Sequence, residues 1–289
     1  MLRSLIRTGH LCRKASTVLA MTLTLLLLSG GAMASDAVSA TKPQVAATEA
    51  ATVDNDRDPK AMEILLRMAD FLAKAPALGV TVLSSYDAIQ EDGEFIEFGD
   101  RRRIELLRPD RLRIEVERSD GDKGGVVFDG KAFIAFKTAD NIYAVAETPG
   151  TVDTALVYVV KELQIPLPLA RMFTTTFPQQ MEQLVRSIAY VETNRLFDIP
   201  TDHLAVRGDE VDFQIWIAQG DAPLPRRVII TYKDAPGEPQ FRALLSDWSL
   251  TAVDAGRFAF TPPAGAERVP FIVPEKSRRP SSAQTGGAK

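Results

Sequence analysis

Few residues in this chain could do chemistry. It holds two histidines, His10 and His203, and a single cysteine, Cys12. His10 and Cys12 fall in the first 34 residues, which read as a removable leader. A Ser-His-Asp triad would therefore have to be built on His203. That residue sits in a strand-like run, His203-Leu204-Ala205-Val206, and no Gly-x-Ser-x-Gly turn occurs, so a structural histidine is expected. One histidine without a cysteine is too small a ligand set for zinc. Asp54-Asn55-Asp56-Arg57-Asp58 opens like a calcium loop. It has Pro59 where the loop needs glycine and Leu65 where it needs a bidentate glutamate. No phosphate-cradling Gly-x-x-x-x-Gly-Lys or Gly-x-Gly-x-x-Gly is present. Glu115 and Glu117 would lie about 7 Å apart on one strand face, a spacing glycosidases use. Their arginine neighbours favour a solvated, ion-paired surface. No catalytic residue, metal ligand or cofactor site is assigned.

The leader is the clearest localisation signal. Arg3, Arg7, Arg13 and Lys14 precede the apolar run Val18 to Leu28, and Ala32-Met33-Ala34 supplies the small-x-small cleavage pattern. Eleven apolar residues fall short of the roughly 20 that span a bilayer. No cysteine follows that would take a lipid. The expectation is a signal peptide over 1–34, cleavage before Ser35, and an exported, periplasmic protein without a transmembrane span. Cleavage removes four basic residues and no acid, taking the formal charge from −4 to −8. That balance argues against nucleic acid, and against anionic lipid, as a general binding partner. Without disulfides, an exported chain of this size must rest on an ordinary hydrophobic core.

Residues 35–56 and 274–289 lack an apolar period and read as a disordered linker and a disordered basic tail. Between them, 57–273 reads as one folded unit. Asp58-Pro59 starts a helix whose stripe is Ala61, Leu65, Met68, Leu72 and Ala75, closed by Pro76. From Leu78 the period becomes two. The clearest strand is Arg111 to Glu117, charged and apolar in strict alternation, the mark of an antiparallel sheet with one wet face. Turn geometry then sets a pairing: a three-residue loop, Pro109-Asp110-Arg111, puts Leu106 opposite Ile114, Ile104 opposite Val116 and Arg103 opposite Glu117. Asp129-Gly130 marks the next hairpin. Further strands are expected near Tyr143, and over 189–192, 203–207, 211–217, 227–233, 240–248 and 258–260. About ten short strands at this spacing imply a large curved sheet or open barrel.

A helical stretch interrupts the sheet. Thr151 caps a helix over 152–163, Pro166 to Phe173 is apolar and proline-broken, and a short helix follows over 178–185. This stretch carries Leu156, Val159, Val160, Leu163, Leu169, Met172 and Phe173, so it must cover something apolar. Trp216 is out of phase with Phe213, Ile215 and Ile217, which puts it on the opposite sheet face, with Trp248 a possible neighbour.

Four segments carry a resemblance: Arg108-Pro109-Asp110-Arg111-Leu112-Arg113; Val127-Phe128-Asp129-Gly130-Lys131; Gln214 to Ile217 with Pro223 to Arg226 and Val228 to Tyr232; and Phe258-Ala-Phe-Thr-Pro-Pro-Ala-Gly265. In this order they resemble the LolA/LolB-like lipoprotein carrier and receptor superfamily, and within it a family of predicted bacterial periplasmic proteins of unknown function. The resemblance implies an α+β fold, a large curved antiparallel sheet forming an open, incomplete β-barrel, with an N-terminal helix and a helical lid insertion over an apolar cavity. Leu156, Val159, Val160, Leu163, Leu169, Met172 and Phe173 of the lid, with Ile114 and Val116 of the sheet, would then meet the ligand. It further implies that Arg108, in the Arg-Pro hairpin, latches the lid through backbone carbonyls; the alternative is a plain ion pair with a nearby acid. The function so implied is non-catalytic binding of a hydrophobic molecule or lipoprotein acyl chain. The other reading is an envelope protein-interaction or sensor module on the same fold.

Overall fold

The computed structural model describes residues 56–163, 165, 167–196 and 198–271. The expected signal peptide, nearly all of the linker, the basic tail, and Asp54 and Asn55 of the calcium-like run lie outside the described residues. The first element is helix α1, Pro59–Lys74. The Asp58 carboxylate accepts from the backbone N–H of Lys60 and Ala61 at 2.9 and 3.3 Å, satisfying two of the four orphan donors of the first turn. The stripe Ala61, Leu65, Met68, Ala69 and Leu72 is wholly buried, each large member contributing about 1.5–3 kcal/mol.

Twelve strands follow among the described residues: β1 (Ala77–Ile89), β2 (Phe95–Leu107), β3 (Arg111–Arg118), β4 (Lys123–Phe128), β5 (Ala132–Lys137), β6 (Ile142–Glu147), β7 (Ser187–Leu196), β8 (Ile199–Arg207), β9 (Val211–Ala218), β10 (Pro225–Tyr232), β11 (Gln240–Ser249) and β12 (Glu267–Arg268). They form one sheet in the order β12-β6-β5-β4-β3-β2-β1-β11-β10-β9-β8-β7, antiparallel except where β12 runs parallel to β6. The sheet curves without closing, giving the open barrel expected.

The alternation in β3 is kept, but its register differs. Leu106 faces Leu112, Ile104 faces Ile114 and Arg103 faces Glu115. The connecting residues are Arg108, Pro109 and Asp110, one position earlier than the hairpin pattern predicts. Arg108 leaves the β2–β3 ladder because its backbone N–H bonds Pro76 O at 2.8 Å and its side chain turns toward α1. The slip is two residues, an even number, so every side chain keeps its face.

Between β6 and β7 lie α2 (Val152–Lys161), a 3-10 turn over Ala170–Phe173, and α3 (Phe177–Leu184). Thr151 caps α2 as expected, in a reciprocal capping box with Thr154. The 258–260 strand is not formed. Asp254 caps a 3-10 turn, Ala255–Phe258, that packs against β3 and buries Phe258 to 1% exposure. Phe260 stacks on Phe136 at 5.4 Å. The Phe-Ala-Phe alternation is thus spent on covering a sheet face instead of pairing with a strand. On the inner face the sheet residues Val80, Val82, Leu106, Leu112, Phe128, Leu204, Ile215 and Leu245 join α1 and α2 in one core.

Candidate functional site

The segment Leu167-Pro168-Leu169-Ala170 crosses the inner face of the sheet and leaves a cavity on each side of itself. One, of about 420 Å³, lies between α1, α3 and strands β9 and β10, and is lined by Leu65, Met68, Leu169, Met172, Phe177, Met181, Ile215, Val228 and Ile230. The other, of about 350 Å³, lies between α2, the 3-10 turn and strands β2 to β5, and is lined by Ile104, Leu112, Ile114, Val116, Val126, Leu156, Ile165 and Phe173. Leu167, Pro168 and Ala170 line both, so these residues form the partition. Both volumes fall in the usual range for small-molecule sites.

The residues expected at the ligand separate into groups. Leu169 and Met172 line the first cavity, while Ile114, Val116, Leu156 and Phe173 line the second. Val159 is fully buried in the core and lines neither. Leu163 borders a separate, more open cleft with Val145, Tyr158 and Phe271 instead. Val160 is the correction: it is 43% exposed. The buried stripe of α2 is Val152, Ala155, Leu156 and Val159, and Val160 lies about 90° from its centre at 3.6 residues per turn. Residues of α1, α3, β9 and β10 that line the first cavity escape a reading confined to the insertion. The apolar stripe of α1 was the available signal, since it required a partner.

Arg108 stands at the junction of these parts, with its side chain 11% exposed. Its Nε donates to Ala75 O at 3.1 Å and its Nη2 to Leu72 O at 3.3 Å, both carbonyls at the C-terminal end of α1. Its Nη1 donates to Phe173 O at 3.0 Å, in the segment between α2 and α3. Burial lowers the pKa of this guanidinium, the nearby Asp153 charge at 3.7 Å opposing, and an arginine there stays cationic. Asp153, in the first turn of α2, accepts from Thr175 N–H and hydroxyl. The C-terminus of α1, the 3-10 turn and the start of α2 are thus tied through two side chains.

The open end of the second cavity is polar. Strand pairing places Arg102 beside Val116, and Asp100 beside Arg118. Asp100 accepts from Arg102 Nε at 2.9 Å and Nη2 at 2.6 Å, and from Ser84 Oγ at 2.6 Å. Tyr232, which lines the first cavity, feels the same arginine: burial raises its hydroxyl pKa, and the Arg102 charge draws it back.

The other candidate centres are occupied by structural pairings. Glu115 pairs with Arg113 at 2.9 Å, and Glu117 with Arg101 at 2.7 Å and Lys123 at 3.5 Å. The Arg101 hydrogen bond, followed by the Lys123 charge, lowers the Glu117 pKa, the opposite of what a general acid needs. His203 stacks on Trp216 with ring centroids 3.9 Å apart, and its Nε2 lies 3.1 Å from Gln214 Oε1. Arg227 covers the same tryptophan at 4.9 Å, and Trp248 Nε1 donates to Pro225 O at 2.9 Å. Trp216 does face away from the inner core, yet it is only 7% exposed, so it offers no open aromatic platform. Among the described residues no three His, Cys, Asp or Glu side chains converge as a metal site.

Several solved structures are similar to this chain at low identity. An uncharacterised conserved protein from Thermus thermophilus is 15% identical over 73% of this chain and 99% of its own, with a TM-score of 0.42. The Mycobacterium tuberculosis lipoprotein LppX is 13% identical over 68% of this chain and 99% of its own, also at 0.42. A LolA superfamily protein from Nitrosomonas europaea is 11% identical over 69% and 97%, at 0.33. No curated protein sequence matches. The DUF2092 family, described as predicted periplasmic protein, matches residues 61–272, and the chain belongs to that family.

Proposed function

We propose that the protein is a non-catalytic periplasmic binder of a hydrophobic ligand, an acyl chain or lipid, held on the inner face of the open barrel beneath the α2–α3 segment. The observation that carries this reading is the pair of apolar cavities separated only by residues 167–170. Every CH₂ buried there contributes about 0.8 kcal/mol, so even a short chain gains useful affinity. The α2–α3 segment forms no sheet ladder, so it can move without breaking one, and Arg108 is the group that holds it down. In this reading the exported chain begins at Ser35, and residues 57–273 form the working unit. Native mass spectrometry of the mature protein, purified gently from periplasm and followed by lipid extraction, tests it. A stoichiometric lipid or acylated peptide is the expected result. A well-folded, empty protein that also fails to take up fluorescent fatty acid overturns it.

A second reading, a module that docks on another envelope protein, draws on the β1–β2 hairpin. Leu83, Tyr86, Phe95 and Phe98 are between 43% and 57% exposed there. Tyr86→Ser with Phe98→Ser would abolish co-purification of such a partner while leaving lipid uptake intact.

A further inference from the structure

The inner face is graded along its strands. The innermost row, Leu106, Leu112, Phe128 and Phe133, is closed and apolar. The next holds Ile104, Ile114, Val126 and Ala135. The third changes character, running Arg102, Val116, Gly124 and Lys137, and the fourth places Asp100 beside Arg118. Successive rows are about 7 Å apart, so the gradient from hydrocarbon-like to charged extends over about 20 Å. Gly124 puts no side chain between Val116 and Lys137, because a Cβ there would meet the backbone oxygen of Phe136 at 2.5 Å.

At this end four cationic side chains, Arg102, Arg118, Lys123 and Lys137, line the cavity against two carboxylates, Asp100 and Asp122. Asp100 already accepts three hydrogen bonds, and Arg102 spends only Nε and Nη2 on it. Arg102 Nη1 is left for another acceptor. Lys137 reaches Asp140 at 2.6 Å and Asp122 at 3.4 Å, and Lys123 reaches Glu117 at 3.5 Å. Arg118 is exposed and spends none of its side-chain donors on a described residue. The rim of the other cavity has the reverse balance, Asp209 and Glu210 against Arg171. In a chain of net negative charge this cationic row is a local exception.

From this gradient we infer that the second cavity selects amphiphiles with an anionic head, a carboxylate or a phosphate, the chain lying toward Phe173 and the head at Arg102 and Arg118. The inference rests on the ligand-binding reading above and sharpens it to a ligand class. A guanidinium holds either oxyanion through charge-assisted hydrogen bonds, which are about twice as strong as neutral ones.

Chain-matched probes separate the two claims. Delipidated mature protein is loaded with Nile red, an uncharged dye, and titrated with dodecanoate, dodecyl phosphate, dodecanol and dodecyltrimethylammonium. Both anions are expected to displace the dye at least about tenfold more tightly than dodecanol, with the cation weakest. Whichever anion leads identifies the carboxylate or the phosphate source. Arg118→Gln should cut that preference several-fold and Arg118→Glu should erase it, the exposed position keeping the fold safe, while the surface variant Lys74→Gln should leave both the preference and Nile red affinity unchanged. Equal displacement by dodecanol and dodecanoate overturns the inference and leaves the hydrophobic binder standing. Failure of Nile red and of all four amphiphiles overturns both.

Discussion

Arg108 does what a local reading of its hairpin cannot show. Its three carbonyl acceptors lie 33, 36 and 65 residues away in sequence, so nothing beside it marks them. A guanidinium suits the task because its donors fan out in one plane and can serve three backbone oxygens at once. Arg108→Ala leaves these carbonyls short of donors in a half-buried place and should cost about 2–4 kcal/mol in urea unfolding. Arg108→Lys keeps the charge but not the fan, and should recover less than half of that loss. Amide exchange over 167–175 should accelerate in both variants; a cost under about 0.5 kcal/mol with unchanged exchange would reduce Arg108 to a spectator. Asp87 offers a pH test at the same scale. The Arg242 hydrogen bond, at 2.7 Å, holds its carboxylate below the usual range, with burial opposing and the Gln240 N–H assisting. Because the folded pKa is the lower one, the stabilisation is fully present above the unfolded value of about 4 and is lost as pH falls through the folded value. Asp87→Asn should therefore lower stability at neutral pH and flatten the acid limb below about pH 4, read by thermal melts across pH.

The segment that divides the cavities is strained at one residue. Leu169 adopts φ 68°, a left-handed conformation that costs a leucine roughly 1–2 kcal/mol. Its side chain only partly repays this by lining the first cavity. Leu169→Gly exchanges lost burial for relieved strain, so its stability change should stay within about 1 kcal/mol. Leu65→Ala, in the wholly buried stripe of α1, should cost about 2–5 kcal/mol. If Leu169→Gly also speeds uptake of a fluorescent fatty acid, the segment is the gate; unchanged uptake would place entry elsewhere. Helices and strands were legible because caps and periodicity are local: Asp58-Pro59 and Thr151 start their helices, and β3 alternates without a break. The β2–β3 register was legible only up to face, since a two-residue slip leaves alternation intact and the turn was decided by distant partners of Arg108. Phe258 and Phe260 mimic a strand because covering a sheet and joining one both require alternation. In β10 the run Val228-Ile229-Ile230 has no polar beat, so its cavity-lining members could not be told from their neighbours.

At the scale of the whole molecule, an open sheet with a divided apolar interior has a consequence for stability. The two cavities forgo dispersion contacts that a packed core would make, and an acyl chain seated there, as proposed, would restore them. A ligand that binds only the folded state stabilises it by RT ln(1 + [L]/Kd), about 2.7 kcal/mol at a hundredfold excess over Kd. For a folded unit of this size each kcal/mol shifts the melting midpoint by about 2–4 °C. Protein taken directly from periplasm should thus melt about 5–10 °C above the same protein stripped of lipid, and the difference should return when lipid is supplied. The effect should be a property of the cavity, so Leu112→Trp, which fills the second cavity from the inner row, should shrink the ligand-induced shift. A surface variant such as Lys74→Gln should leave it unchanged. Identical midpoints for the native, stripped and lipid-supplied protein would mean that the interior stays empty in use. The exposed β1–β2 hairpin would then be the working surface.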